Sequence, residues 1–107
     1  MDLKIESRNV VMTPRWKAEI EQRMADLQNG HDDLTHGRMT LTKNKHHKKA
    51  MNVAEAKLVV TLPGRRTVTA SKEDKTFEEA IRAAFAAMET ELKKFREKRA
   101  SRDVVKW

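Results

Sequence analysis

Between residues 77 and 95 an apolar stripe, Phe77, Ala80, Ile81, Ala84, Phe85, Met88, Leu92 and Phe95, recurs at three- and four-residue steps, the spacing that places side chains on one face of an α-helix. A stripe this continuous is structural core, and something in the chain must cover it. Thr76 offers a capping hydroxyl and Glu79, three residues on, completes a capping box, so the helix is expected to start there. It is predicted to run to Arg99, about 36 Å at 1.5 Å per residue, longer than a strand of about 17–20 Å, so its end projects past the core.

The covering surface lies upstream. Leu3 and Ile5 alternate with Asp2, Lys4 and Glu6, the period of a strand with one buried face. Thr13-Pro14 then opens a first helix, with threonine as cap and proline where a missing N–H costs nothing. Trp16, Ile20, Met24 and Leu27 form its inner face, and Asn29-Gly30 ends it, for a helix over 14–29. Three strands follow. Met39 and Leu41 alternate with Arg38, Thr40 and Thr42; after a basic loop, Ala54, Ala56, Leu58, Val60 and Leu62 face one way and Glu55, Lys57 and Thr61 the other. Leu62-Pro63-Gly64-Arg65 places proline and glycine as a type II turn wants them, leading into a last strand with Val68 and Ala70 inward and Thr67 and Thr69 outward. The order β-α-β-β-β-α predicts an α+β two-layer sandwich, a four-stranded sheet with two helices on one face. Residues 1–99 form the single domain, and residues 100–107 are expected to be a flexible C-terminal tail.

Charge narrows the function classes. Over 107 residues the formal net charge is +7, and 36% of residues are charged against roughly 25% in an average domain. Residues 1–37 hold five basic and seven acidic side chains (net −2), residues 38–75 ten and three (net +7), and residues 76–107 eight and six (net +2). The excess therefore belongs to the middle of the chain. There Lys43, Lys45, Lys48 and Lys49, with His46 and His47, fill the loop between two strands without an acidic residue. On the last helix Arg82, Lys93 and Arg96 lie within an arc of about 60° beside the apolar stripe, with Lys94, Lys98 and Arg99 extending the charge. Glu89 shares that line and is placed to pair with Lys93 at i, i+4. Two basic clusters on a small domain point to a polyanion.

Catalysis and metal binding are not expected. The chain has no cysteine, hence no disulfide, thiolate zinc site or cysteine nucleophile. His31 and His36 are not expected to bind a metal, and the adjacent His46 and His47 of the lysine loop offer poor chelation geometry with no carboxylate beside them; the three glycines, Gly30, Gly37 and Gly64, form no phosphate loop. No cofactor follows. The N-terminus lacks the apolar stretch of a secretory signal and the longest apolar run is Ala83 to Met88, so the protein is expected in the cytosol, away from membranes.

The element order and several local motifs resemble the ribosome hibernation promoting factor family, also described as ribosome-associated translation inhibitors or sigma-54 modulation proteins. The resemblance covers residues 1–99. It rests on Leu3-Lys4-Ile5-Glu6-Ser7-Arg8-Asn9, on Thr13-Pro14 opening a helix that ends in Leu27, and on the three-strand stretch. Further support comes from Thr69-Ala70-Ser71 leading into Thr76-Phe77-Glu78-Glu79-Ala80-Ile81, and from Glu91-Leu92-Lys93-Lys94. Where a common family pattern has Asp-x-Tyr opening the last helix, this chain has Thr76-Phe77-Glu78. The resemblance implies binding to the small ribosomal subunit and its rRNA, in the channel for messenger and transfer RNA, with translation blocked by occlusion. It implies RNA-facing roles for Arg23, Lys43, Lys45, Arg82, Lys93, Lys94 and Arg96, which the loop residues Lys48 and Lys49 join on charge grounds. Ala100 to Trp107 matches neither an acidic tail nor a second dimerising domain, so the chain groups with the short forms, expected to be monomeric off the ribosome and to rely on a separate ribosome-dimerising factor. Two other readings of the residues stand beside it. Helix, three strands, helix is also the order of a double-stranded RNA-binding module, although Glu73, Asp74, Glu78 and Glu79 occupy the place of its phosphate-binding lysines; the other is a protein-interaction adaptor anchored by Trp107.

Overall fold

The computed structural model of the chain describes the backbone of residues 2–46 and 51–105 and the side chains of residues 2–44 and 53–97. Six elements follow in the predicted order: β1 (Asp2–Arg8), α1 (Pro14–Gly30), β2 (His36–His46), β3 (Met51–Leu62), β4 (Arg66–Asp74) and α2 (Phe77–Val105). The four strands form one sheet in the order β1-β2-β3-β4, with β1 parallel to β2 and the other pairs antiparallel. A parallel pair needs a crossover, which α1 provides, whereas the antiparallel pairs follow one another directly.

Alternation decides which face the helices cover. Met39 and Leu41 of β2, Ala56, Leu58 and Val60 of β3, and Ala70 of β4 are buried, while Arg38, Lys57, Thr67 and Thr69 between them are exposed. Against that face lie Ile20, Met24 and Leu27 of α1 and Ala80, Ile81, Ala84, Phe85, Met88 and Leu92 of α2. Phe77 and Phe95, the ends of the α2 stripe, pack half-buried at its margins. The result is the α+β two-layer sandwich expected from the sequence. Gly37 lies beneath α1: a Cβ there would stand 3.0 Å from Met24 Cε and 3.6 Å from Leu3 Cδ1, so the missing side chain leaves room for Met24. Among the described residues no helix is long and apolar enough to cross a membrane.

Both helix starts use the predicted caps. The Trp16 N–H donates to Thr13 Oγ at 3.1 Å and the Glu79 N–H to Thr76 Oγ at 3.2 Å. The carboxyl of Glu79 turns to Asp74; the hydrogen bond between the two acids, with their like charge, raises the Glu79 pKa above its ordinary value. At the β3–β4 hairpin Gly64 has φ +82°, as the second central position of a type II turn requires, and Arg65 is also left-handed at 62°. Pairing resumes at Leu62↔Arg66, so the connection is three residues long.

Two boundaries differ from expectation. The β2–β3 ladder continues to His46↔Met51, which places Lys43 and Lys45 on β2 rather than in the loop. No glycine or proline interrupts residues 38–62, so nothing in the backbone stops the pairing. Likewise α2 continues past Arg99 to Val105, and the segment expected to be a loose tail from Ala100 is helical backbone that far. The last glycine in the chain is Gly64 and the last proline Pro63, so this helix meets no breaker.

Met88 is fully buried where α2 crosses the sheet. Met88→Ala removes its packing and leaves a cavity, and is expected to lower stability by about 2–5 kcal/mol in urea-induced unfolding with little change in m-value. Total stability of a domain this size is of order 5–15 kcal/mol, so the variant stays folded or becomes marginal.

Candidate nucleic-acid interface

Each helix follows a strand that runs to the same end of the sheet, so α1 and α2 start together and run side by side in the same direction. Their first turns are joined: the Trp16 and Phe77 ring centroids are 4.7 Å apart, and the Trp16 indole N–H donates to Glu78 Oε1 at 2.9 Å. That bond, formed with the charged carboxylate, holds the Glu78 pKa below its ordinary value. Farther along, the helices bound a groove of about 270 Å³ lined by Arg23, Asp26 and Leu27 of α1 and Arg82, Phe85, Ala86 and Glu89 of α2. Two residues expected to face RNA, Arg23 and Arg82, thus meet across one groove. The Arg23 Nε–H donates to Glu19 Oε1 at 3.1 Å, one turn back on the same helix, which orients its guanidinium. Arg82 is exposed, and so is Lys93, about 16 Å farther along the same line of α2.

Arg96 continues that line but is already engaged. Its Nη2 lies 2.6 Å from Asp33 Oδ1 and its Nη1 3.3 Å from Asp33 Oδ2, a two-pronged ion pair with the α1–β2 connection. Its Nε–H donates to Nδ1 of the buried His31 at 3.1 Å. Because a guanidinium only donates, Nδ1 accepts and the ring proton sits on Nε2, 3.2 Å from Glu89 Oε2. Glu89, expected to pair with Lys93, pairs with His31 instead. The hydrogen bond from Arg96, with its charge, holds the Asp33 carboxyl below its ordinary value of 3.8. Arg96 is therefore a clamp between α2 and the end of α1. Its partners lie 63 and 65 positions away in sequence, which is why helical spacing alone groups it with the solvent-facing cations.

The other candidates are dispersed. Lys94 faces the β4 side of α2, lining a cleft of about 590 Å³ with Thr67, Thr69 and Phe95, and its Nζ is 3.9 Å from Glu91 Oε1. In the same region the Arg66 guanidinium sits over the Phe95 ring, 5.7 Å from its centroid. Lys43 is exposed and pairs in register with Ala54, at the end of the sheet where both helices begin. Lys45 follows on the same strand with its side chain outside the described part, and Lys48 and Lys49 lie outside the described residues. The open face of the sheet mixes signs: Lys4, Arg38 and Lys57 share it with Asp2, Glu6 and Glu55, and His36 Nδ1 is 3.5 Å from Asp2 Oδ2. Arg65 and Arg66, at the hairpin tip, are exposed cations that helix and loop patterns did not single out, although the +7 count of their segment includes them.

This sandwich, with cations on its helical layer, is matched by a sequence model of the family described as sigma 54 modulation protein / S30EA ribosomal protein, over residues 3–100. The chain belongs to this family. Among solved structures, a ribosomal subunit interface protein from Coxiella burnetii shares the fold with a TM-score of 0.78 at 20% identity, covering 91% of this chain and 99% of that one. The N-terminal domain of Protein Y from Thermus thermophilus aligns with a TM-score of 0.71 at 28% identity, covering 89% and 99%. No curated protein sequence matches the chain.

The Arg96–Asp33 pair gives this S30EA-family protein an acid-sensitive tie. A folded-state pKa below the unfolded one contributes stability above pH 3.8, lost as pH falls through the lower folded value. With both side chains partly exposed, the pair is worth at most about 1 kcal/mol. Asp33→Asn is expected to lose stability of that order at neutral pH and to show a smaller further loss on acidification than the wild type, read by urea unfolding at both pH values.

Proposed function

We propose that this protein is a cytoplasmic ribosome hibernation factor that binds the small subunit's messenger and transfer RNA channel and inhibits translation by occupying it. The observation that carries this reading is the family match over residues 3–100, together with Arg23, Arg82 and Lys93 on one outer surface of the helical layer. One similar protein is itself described as a ribosomal subunit interface protein. The work asked of the residues is electrostatic: lysine and arginine displace counterions from rRNA phosphates, and the rigid two-layer body fills space that transfer RNA needs. In this reading residues 1–99 are the binding unit and residues 100–107 lie outside it, no chemistry is catalysed, and any pairing of ribosomes depends on a separate factor.

The surface centred on Arg82 and Lys93 is tested by charge reversal. Arg82→Glu with Lys93→Glu is expected to reduce cosedimentation with purified small subunits at least tenfold while leaving the unfolding midpoint near wild type, since both side chains are exposed. Arg96 is left intact because a glutamate there would face Asp33 and Glu89. Unchanged cosedimentation would remove this surface from the interface. The basic segment from the end of β2 onward is tested separately by Lys45→Ser, Lys48→Ser and Lys49→Ser together. Each lost phosphate contact is expected to flatten the dependence of log affinity on log salt by about one unit; an unaltered slope would show that these lysines are merely solvated.

A further inference from the structure

The groove between α1 and α2 has an internal order that phosphate binding alone does not use. Its floor is apolar, Leu27 at 3% and Phe85 at 6% exposure, with the small Ala86 at its wall. Arg23 and Arg82 stand at the end nearer the helix starts, and Asp26 and Glu89 one to two turns farther on. Both carboxylates have one oxygen engaged: Asp26 Oδ1 accepts from Gln22 Nε2 at 3.2 Å, and Glu89 Oε2 faces His31 Nε2. Each carboxylate keeps a second oxygen that can accept from a ligand's donor, and their negative charge would repel a phosphate at that end. At about 270 Å³ the space falls below the roughly 300–1,000 Å³ of small-molecule sites and suits one planar ring rather than a larger ligand.

Resting on the reading that this helical surface meets RNA, we infer that the groove seats a single unpaired cytosine, the one-ring base that carries an amino group. The base lies over Leu27 and Phe85, its backbone phosphate meets Arg23 and Arg82, and its exocyclic amino group donates to Asp26. Each feature has its own chemical match: unpaired bases are held on aromatic and guanidinium surfaces, guanidinium forks bind phosphate, and a carboxylate accepts from the cytosine amino group. Uracil has no amino group to offer.

Three probes separate the contributions: single-stranded RNA chains of about ten nucleotides, the length a single-strand site spans, made of cytidine, of uridine, or of abasic ribose-phosphate. By fluorescence anisotropy at low salt, the full-length protein is expected to bind the cytidine chain about tenfold tighter than the abasic chain, and several-fold tighter than the uridine chain. Ala86→Met fills the groove without changing charge and should bring the cytidine chain down to the abasic affinity, leaving the abasic affinity unaltered. Asp26→Ala, a change at an exposed position, should make cytidine and uridine chains bind alike. Equal wild-type affinity for the cytidine and abasic chains, or a base preference that survives both substitutions, overturns the groove. Cosedimentation with small subunits separates this from the ribosomal reading. Subunit binding without a base preference overturns the groove alone, a base preference without subunit binding supports the groove and overturns the ribosomal role, and binding to neither overturns both.

Discussion

Burial of the α2 stripe against one face of the sheet is the constraint from which the rest of the molecule follows. Ile81, Met88 and Leu92 of α2 and Met39, Leu41, Leu58 and Val60 of the sheet have no exposed surface, and each such side chain is worth about 1.5–3 kcal/mol of transfer free energy. Once that face is committed, the angular positions of the remaining α2 residues are no longer free. Arg82, Glu89, Lys93 and Arg96 are carried along the edge of the stripe that faces α1, and the parallel course of the two helices makes a groove of that edge.

The net charge of +7 is a poor guide to how many cations are available to a partner. Arg96 is held by Asp33 and His31, Arg23 leans on Glu19, Lys94 lies beside Glu91, and the open sheet face alternates in sign. Among the described residues, what remains beside the groove is a small set, Arg82, Lys93 and the outer nitrogens of Arg23, with Arg15 and Lys17 also exposed on α1. Binding that rests on few contacts is sensitive to single charge reversals. The clamp has a separate role, since it ties the α1–β2 connection to the far half of α2 and steadies the end of the groove where Glu89 sits.

The elements were legible in the sequence because their periods are clean: step two at Leu3 and Ile5 and from Ala54 to Leu62, steps three and four from Phe77 to Phe95. The caps were legible for the same local reason, as Thr13 and Thr76 both cap. Element ends were harder, because the extension of β2 to His46 and of α2 to Val105 reflects missing breakers rather than a positive signal. Least legible were pairings across the fold. Nothing local in Asp33 or His31 announces Arg96, and the diversion of Glu89 to His31 rather than Lys93 depends on where the chain leaves α1. The meeting of Arg23 with Arg82 likewise needs the helices placed side by side, although helical spacing singles out Arg82 and the family resemblance Arg23.

Ribosome binding is the claim on which the functional reading depends, and sedimentation tests it without any substitution. Stationary-phase extract of the producing cells, run through a sucrose gradient at low salt and again at high salt, is probed for this protein across the fractions. An electrostatic small-subunit ligand is expected in the fractions containing small subunits or whole ribosomes at low salt, and at the top of the gradient at high salt. Its absence from every ribosomal fraction at low salt would contradict the assignment.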